Sequence, residues 1–147
     1  MNTILVKIVT PEKVVYEKNV YQVSIPTTTG EITILPFHIP LISVVATGEL
    51  KIKDKDGDHI VAIAGGFMEV RGKNEVVILA NNAETATEID VERAESAKQR
   101  AAEQMKAAKT GEDVDFARLQ AVIDREMNRI KIARKYRSMP PTKEERG

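Results

Sequence analysis

The chain has no cysteine among its 147 residues. Disulfides and thiolate metal sites are therefore excluded, and a reducing compartment is the natural fit. Histidine is nearly as scarce: His38 and His59 are the only two, and neither has the spacing of a metal pair. Asp54, Asp56 and Asp58 alternate like the start of a calcium loop, but Gly57 is misplaced and the distal Glu is missing. A solvated hairpin tip is the expectation there, with no metal. No Gly-x-x-x-x-Gly-Lys-Ser/Thr run occurs, so the phosphate-cradling loop of nucleotide hydrolases is absent, and no Ser/His/Asp set stands out. The longest uncharged stretch, 32–48, is shorter than the ~20 residues that span a bilayer and contains Pro36 and Pro40. The opening residues lack the apolar core and cleavage site of a signal peptide. Membrane association is thus expected only through partners. Basic and acidic residues number 22 each, which gives no global reason to expect nucleic acid.

What is present is unevenly distributed. Val, Ile and Leu crowd into residues 4–80, while Ala, Lys, Arg and Glu dominate residues 83–137. The shift predicts an α+β chain: an N-terminal antiparallel β-sandwich over 1–86, an antiparallel two-helix hairpin over 87–137, and a frayed tail over 138–147. In the first part Ile4, Val6 and Ile8 alternate on one face, as in a half-buried strand. Further strands are expected at 20–25 and 32–35, around Leu50 and Ile52, and at 59–64, where Gly65-Gly66 ends the run, then at 67–71 and 75–80. Turns fall at 27–30, at Asp56-Gly57 and at 72–74.

After Asn81-Asn82 the period lengthens to about 3.6. Thr87-x-x-Asp90 resembles a capping box, with Asp90 a candidate N-cap. Ala94, Ala97, Ala101, Met105 and Ala108 form one narrow stripe, and Phe116, Leu119, Ile123, Met127, Ile130 and Ala133 form its facing partner. The turn is expected at 109–112, with Asp113 or Asp115 capping the second helix.

Three blocks carry a resemblance. The run Gly30-Glu31-Ile32-Thr33-Ile34-Leu35-Pro36-Phe37-His38-Ile39-Pro40-Leu41 read alone is a strand and a proline-stiffened turn. It also resembles the Gly-Glu-x-x-Ile-Leu-Pro-x-His-x-Pro-Leu element of the epsilon subunits of bacterial and chloroplast-type F-type ATP synthases. Ile63-Ala64-Gly65-Gly66-Phe67-Met68-Glu69-Val70 is similar to their Gly-Gly-Phe-x-Glu-Val, and Ile89-Asp90-x-x-Arg93-Ala94 to their Ile/Leu-Asp-x-x-Arg-Ala. The blocks occur in family order, and the resemblance spans residues 3–133. Thr33 stands where the family often has Gly, and Phe37 where it has Gly or Asn. Thr33 implies ordinary strand dihedrals, and an exposed Phe37 would alter the contact surface.

The resemblance implies a non-catalytic rotor subunit on the cytoplasmic face of the bacterial plasma membrane. Its sandwich would contact the gamma stalk and the c-ring, with Glu31 and His38 at matching contact positions. Its hairpin would lie folded on the sandwich or extend into the alpha/beta head to restrain ATP hydrolysis. No cofactor is required, but ATP is implied as a regulatory ligand, because Glu84, Ile89, Asp90, Arg93, Ala94, Arg100, Arg125 and Arg129 match ATP-contacting residues of some members. The residues allow two readings. A turn about Gly111 gathers Arg93, Arg100, Arg125 and Arg129 on one flank, where guanidinium forks suit phosphate oxygens. The same arginines would equally form a solvated face paired with Glu92, Glu95 and Asp124. Arg129, Lys131, Arg134, Lys135 and Arg137 form a basic arm with no acid among 127–137. It either complements the helix C-terminus or docks on an acidic surface. The alternative function is a stand-alone adaptor with the same two parts.

Overall fold

The computed structural model describes residues 2–108 and 115–136. The turn expected at 109–112, Asp113, Arg137 and the tail 138–147 lie outside the described residues. Eight strands come first: β1 (Ile4–Val9), β2 (Val14–Val20), β3 (Gln22–Thr27), β4 (Gly30–Ile34), β5 (Leu41–Val45), β6 (Gly48–Asp54), β7 (Gly57–Arg71) and β8 (Glu75–Thr85). A 3₁₀ turn (Ala86–Glu88) leads into α1 (Val91–Ala108) and then α2 (Phe116–Tyr136).

The strands form a β-sandwich, in which β2, β1, β8, β7 and β5 run side by side while β6 joins β3 to β7. Pairing is antiparallel except between β1 and β8, which run parallel from Leu5 opposite Glu75 to Val9 opposite Leu79. The core is built from alternate strand residues. Ile4, Val6 and Ile8 meet Val23, Ile25, Leu50, Ile52, Ile63, Met68 and Ile78, all essentially without solvent exposure. Each such side chain contributes about 1.5–3 kcal/mol on removal from water.

Gly65 and Gly66 do not end a strand, as their sequence suggested. Both have positive φ, 67° and 131°, and β7 continues through them in unchanged register with β8. Before the pair β7 bonds to β6, from Gly57 opposite Asp54 to Ile63 opposite Gly48. After it β7 bonds to β5, from Gly66 opposite Val45 to Val70 opposite Leu41. The glycines thus bend one long strand from one layer into the other. A Cβ on Gly66 would lie 2.1 Å from the Leu79 carbonyl oxygen, so only glycine permits this pairing.

Strands β2 and β5 escaped sequence reading, the first because only Val20 of it is fully buried and the second because apolar residues stand on both its faces and leave no clean alternation. The tip of the β6–β7 hairpin is less solvated than expected, since Asp54 is buried. It accepts bonds from Tyr16 Oη at 2.9 Å and the Asp56 amide at 2.8 Å. His59 Nε2 stands 2.9 Å from it, without hydrogen-bond alignment. Burial pushes the Asp54 carboxyl up, but these three neighbours outweigh it and hold the group below its ordinary value.

The helices pack against each other and only α2 packs closely on the sandwich. Asp90 caps α1 by accepting from the Arg93 amide at 3.1 Å, and Asp115 caps α2 by accepting from the Arg118 amide at 3.0 Å. Ala94, Ala101, Leu119, Ile130 and Ala133 are buried, as the stripes predict. Phe116 and Met127 are exposed instead, while Ile132 and Glu126 are buried. A second face of α2 accounts for Ile132, which packs on Ile60 and Ala62 of β7.

Candidate functional site

Three features outside the core are candidates for a functional site. The first is a cavity of about 720 Å³ where the end of β8, the 3₁₀ turn, α1 and α2 meet. Arg93, Arg100 and Arg129 line it together with Glu84, Glu88, Asp90, Glu92 and Glu126. Among the described residues the guanidinium groups of Arg93 and Arg100 form no ion pair. Arg129 is held on both sides: its Nε donates to Glu84 Oε2 at 2.9 Å, with Nη2 2.8 Å from the same oxygen in the ion pair, and its Nη1 donates to Glu126 Oε2 at 2.7 Å. Burial lowers the Arg129 pKa, but the bond from Glu126 and the charges of Glu84 and Glu126 more than offset this and raise it.

Of the eight residues matched to a nucleotide site, the cavity gathers five: Glu84, Asp90, Arg93, Arg100 and Arg129. Arg125 faces a neighbouring cavity of about 490 Å³ between α2 and the sandwich, where its Nε donates to Glu126 Oε1 at 3.2 Å. Ala94 is fully buried, and Ile89 packs with Ile60, Ala62 and Ile132. The carboxylate partners also differ from those expected. Glu84 and Glu126 answer the arginines, Glu95 pairs with Arg134, and Asp124 accepts from Gln120. A buried Glu amid lysines and arginines gives no sequence signal, because it reads as one more exposed helix charge.

The second feature is the latch between α2 and the sandwich. The Asn128 amide donates to the Gly48 carbonyl at 3.0 Å. Lys135 Nζ lies 3.3 Å from Glu49 of β6, and Tyr136 Oη donates to the same carboxylate. The basic arm is therefore answered internally at Arg129, Arg134 and Lys135, while Lys131 is exposed. Burial pushes the Glu49 carboxyl up, but bonds from Tyr136 and Lys135 and the charge of Lys51 hold it below its ordinary value.

The third is an apolar outer face. Val44, Phe67 and Leu79 lie side by side on β5, β7 and β8, and all are exposed. Ile42 extends the row, and Leu35, Phe37 and Ile39 of the β4–β5 loop are exposed as well. Glu31 is the second residue of β4 and His38 lies in the loop that follows it; Glu31 is exposed near Lys51, and His38 Nδ1 sits 2.6 Å from the Ile39 carbonyl. Sequence reading missed the apolar face. Its available signal was the apolar character of residues 41–45 on both faces of a strand.

Comparison with known proteins matches the same two parts. Residues 3–86 match the family model for the ATP synthase delta/epsilon chain β-sandwich domain, and residues 87–134 that for its long α-helix domain. An ATP synthase epsilon chain of Halalkalibacterium halodurans is 44% identical over 133 residues, 90% of this chain and 98% of the relative. One from Staphylococcus aureus is 42% identical over 134 residues, with the same coverage. Among solved structures, a chain in the Euglena gracilis mitochondrial ATP synthase superposes with a TM-score of 0.66 at 24% identity, over 92% of this chain and 82% of that one. At that identity the likeness speaks to the fold alone.

Proposed function

The chain belongs to the ATP synthase epsilon chain family, and from that membership we propose that it is a non-catalytic, regulatory rotor subunit of an F-type synthase. In this reading the sandwich docks on the gamma stalk and the c-ring, and so couples ion flow to ATP synthesis without doing chemistry. The exposed Val44, Phe67 and Leu79 row supports a protein partner there, since apolar rows of this kind mark interaction surfaces. Glu31 and His38 supply polar contacts beside it. The subunit reaches the cytoplasmic face of the membrane through these partners; no described helix is long and apolar enough to cross a bilayer.

The hairpin is the switch. The observation that carries this part is how little apolar contact holds it: one small cluster around Ile132, with polar ties at Asn128, Arg129, Lys135 and Tyr136. Released, α2 would free Lys135 from Glu49, and together with the already exposed Lys131 and Arg134 and with Arg137 it would dock on an acidic surface of the alpha/beta head, blocking hydrolysis. ATP in the arginine-lined cavity would favour the compact form, by as much as its affinity differs between the two forms. Arg93 and Arg100 offer open forks to phosphate oxygens.

Because the chain lacks cysteine, the switch can be locked cleanly. Glu49→Cys and Lys135→Cys, joined by a short cleavable cross-linker in the reconstituted synthase, should hold the compact form. Hydrolysis should rise when the link is made and fall when it is cleaved. Hydrolysis indifferent to the link would overturn the inhibitory role of the hairpin.

A further inference from the structure

The arginine-lined cavity already contains an anion, and the chain supplies it. Glu126 is 2% exposed, whereas the one other acid of its helix, Asp124, faces solvent. Both of its oxygens are used, Oε1 by Arg125 at 3.2 Å and Oε2 by Arg129 at 2.7 Å. Glu84 of β8 accepts from Arg129 Nε and completes the ion pair on the opposite side. An entering polyphosphate therefore finds Arg93 and Arg100 open and Arg129 occupied. It cannot reach Arg129 without coming beside a buried carboxylate, where like charges repel with little water to screen them.

We propose that Glu126 is an internal competitor for the anion site: it holds Arg129 when no ligand is bound and must be displaced or neutralised when a polyphosphate enters. It would thus set the affinity of the site and keep it weak. The inference rests on the cavity binding the triphosphate of a nucleotide. It goes beyond that reading in assigning affinity to a residue that itself repels the ligand. Arg129 bridges β8 and α2, so the exchange also ties occupancy to the position of the helix.

The test is calorimetric titration of the full chain with magnesium-free ATP and, separately, with inorganic tripolyphosphate, at fixed low salt. Glu126→Gln keeps the shape and removes the charge. It should tighten both ligands by roughly tenfold or more, the equivalent of one charge-assisted bond freed for phosphate. Arg129→Ala in the Glu126→Gln background should remove most of that gain, as expected for groups acting on one another. Glu126→Asp, which keeps the charge, should stay near wild type. Glu126→Ala carries the same expectation as the glutamine variant should that variant fail to fold.

The outcomes separate the two ideas. Unchanged affinity in Glu126→Gln, or an equal gain in Glu126→Asp, overturns the competitor while leaving ATP binding standing. A gain for tripolyphosphate, with ATP binding no tighter than tripolyphosphate, supports the competitor and overturns recognition of a nucleotide. Absence of binding by either ligand to wild type and variants overturns both.

Discussion

At the residue scale, Phe37 is held in a conformation its side chain disfavours. Its φ is 66°, in the left-handed region, and its ring is 68% exposed, so burial within the chain returns nothing. Asn74 fixes it there: Asn74 Oδ1 accepts from the Phe37 amide at 2.7 Å, and Asn74 Nδ2 donates to the Thr3 carbonyl at 2.7 Å. The sequence showed Phe standing where related chains carry Gly or Asn, but not why those residues suit the position. The reason is the positive φ, which costs a side-chain-bearing residue about 1–2 kcal/mol. On the reading that this loop meets the rotor partners, the strain at Phe37 is offset by that contact. Phe37→Gly should therefore stabilise the isolated protein by roughly 0.5–1 kcal/mol, after the added flexibility of glycine is subtracted. It should also weaken association with the partner that covers this loop. Urea denaturation and a pull-down on the two proteins check both halves, and a destabilised glycine variant would refute the account of strain.

At the scale of the element, α2 shows where periodicity fails. A single stripe was legible, and Leu119, Ile130 and Ala133 on it are buried. A helix lying between a second helix and a sheet has two buried faces, which is why Ile132 and Glu126 are covered while Phe116 and Met127 are not. The latch at the C-terminal end of α2 was also invisible, because Glu49 is 86 residues from Lys135. Its pH dependence follows from the directions of the shifts. Glu49 is held below its ordinary value, so its contribution to docking is complete above the usual carboxylate range and is lost as pH falls through the lowered value. Bonds to Tyr136 and Glu49 raise the Lys135 pKa, so its contribution is complete below the ordinary lysine value and is lost as pH rises through the raised one. The last turn of α2 should stay docked through neutrality and release only in acid below the ordinary carboxylate range and in alkali above the ordinary lysine range. Fluorophores on Lys73→Cys and Lys131→Cys would report the separation, and Glu49→Gln should flatten both limbs. A distance that stays constant until the sandwich itself unfolds would exclude the latch.

At the scale of the whole molecule, the division into sandwich and helices was readable because each half repeats one period many times. The path of β7 between layers was not, since it depends on where Val45 and Gly48 meet Gly66 and Ile63 across the fold. The two halves are joined unequally. The sandwich core contains no residue of α1 or α2, whereas the joining cluster consists of Ile60, Ala62 and Ile132 with Ala86, Ile89 and Tyr136 around them. Removing the helices leaves the first set intact and uncovers only Ile60 and Ala62 of the second. A fragment ending at Glu88 should accordingly fold by itself, with a stability lower than that of the full chain by only about 1–3 kcal/mol, the worth of one or two buried side chains. The helices without the sandwich should have little structure, since an isolated hairpin with alanine at its seam buries little area. The full chain should then unfold with the helices leaving first, visible as loss of helical circular dichroism at lower urea than loss of the sandwich core, and it would depart from two-state behaviour. An unfolded fragment, or one cooperative transition shared by both signals, would mean that the hairpin is part of the core and cannot move as a switch.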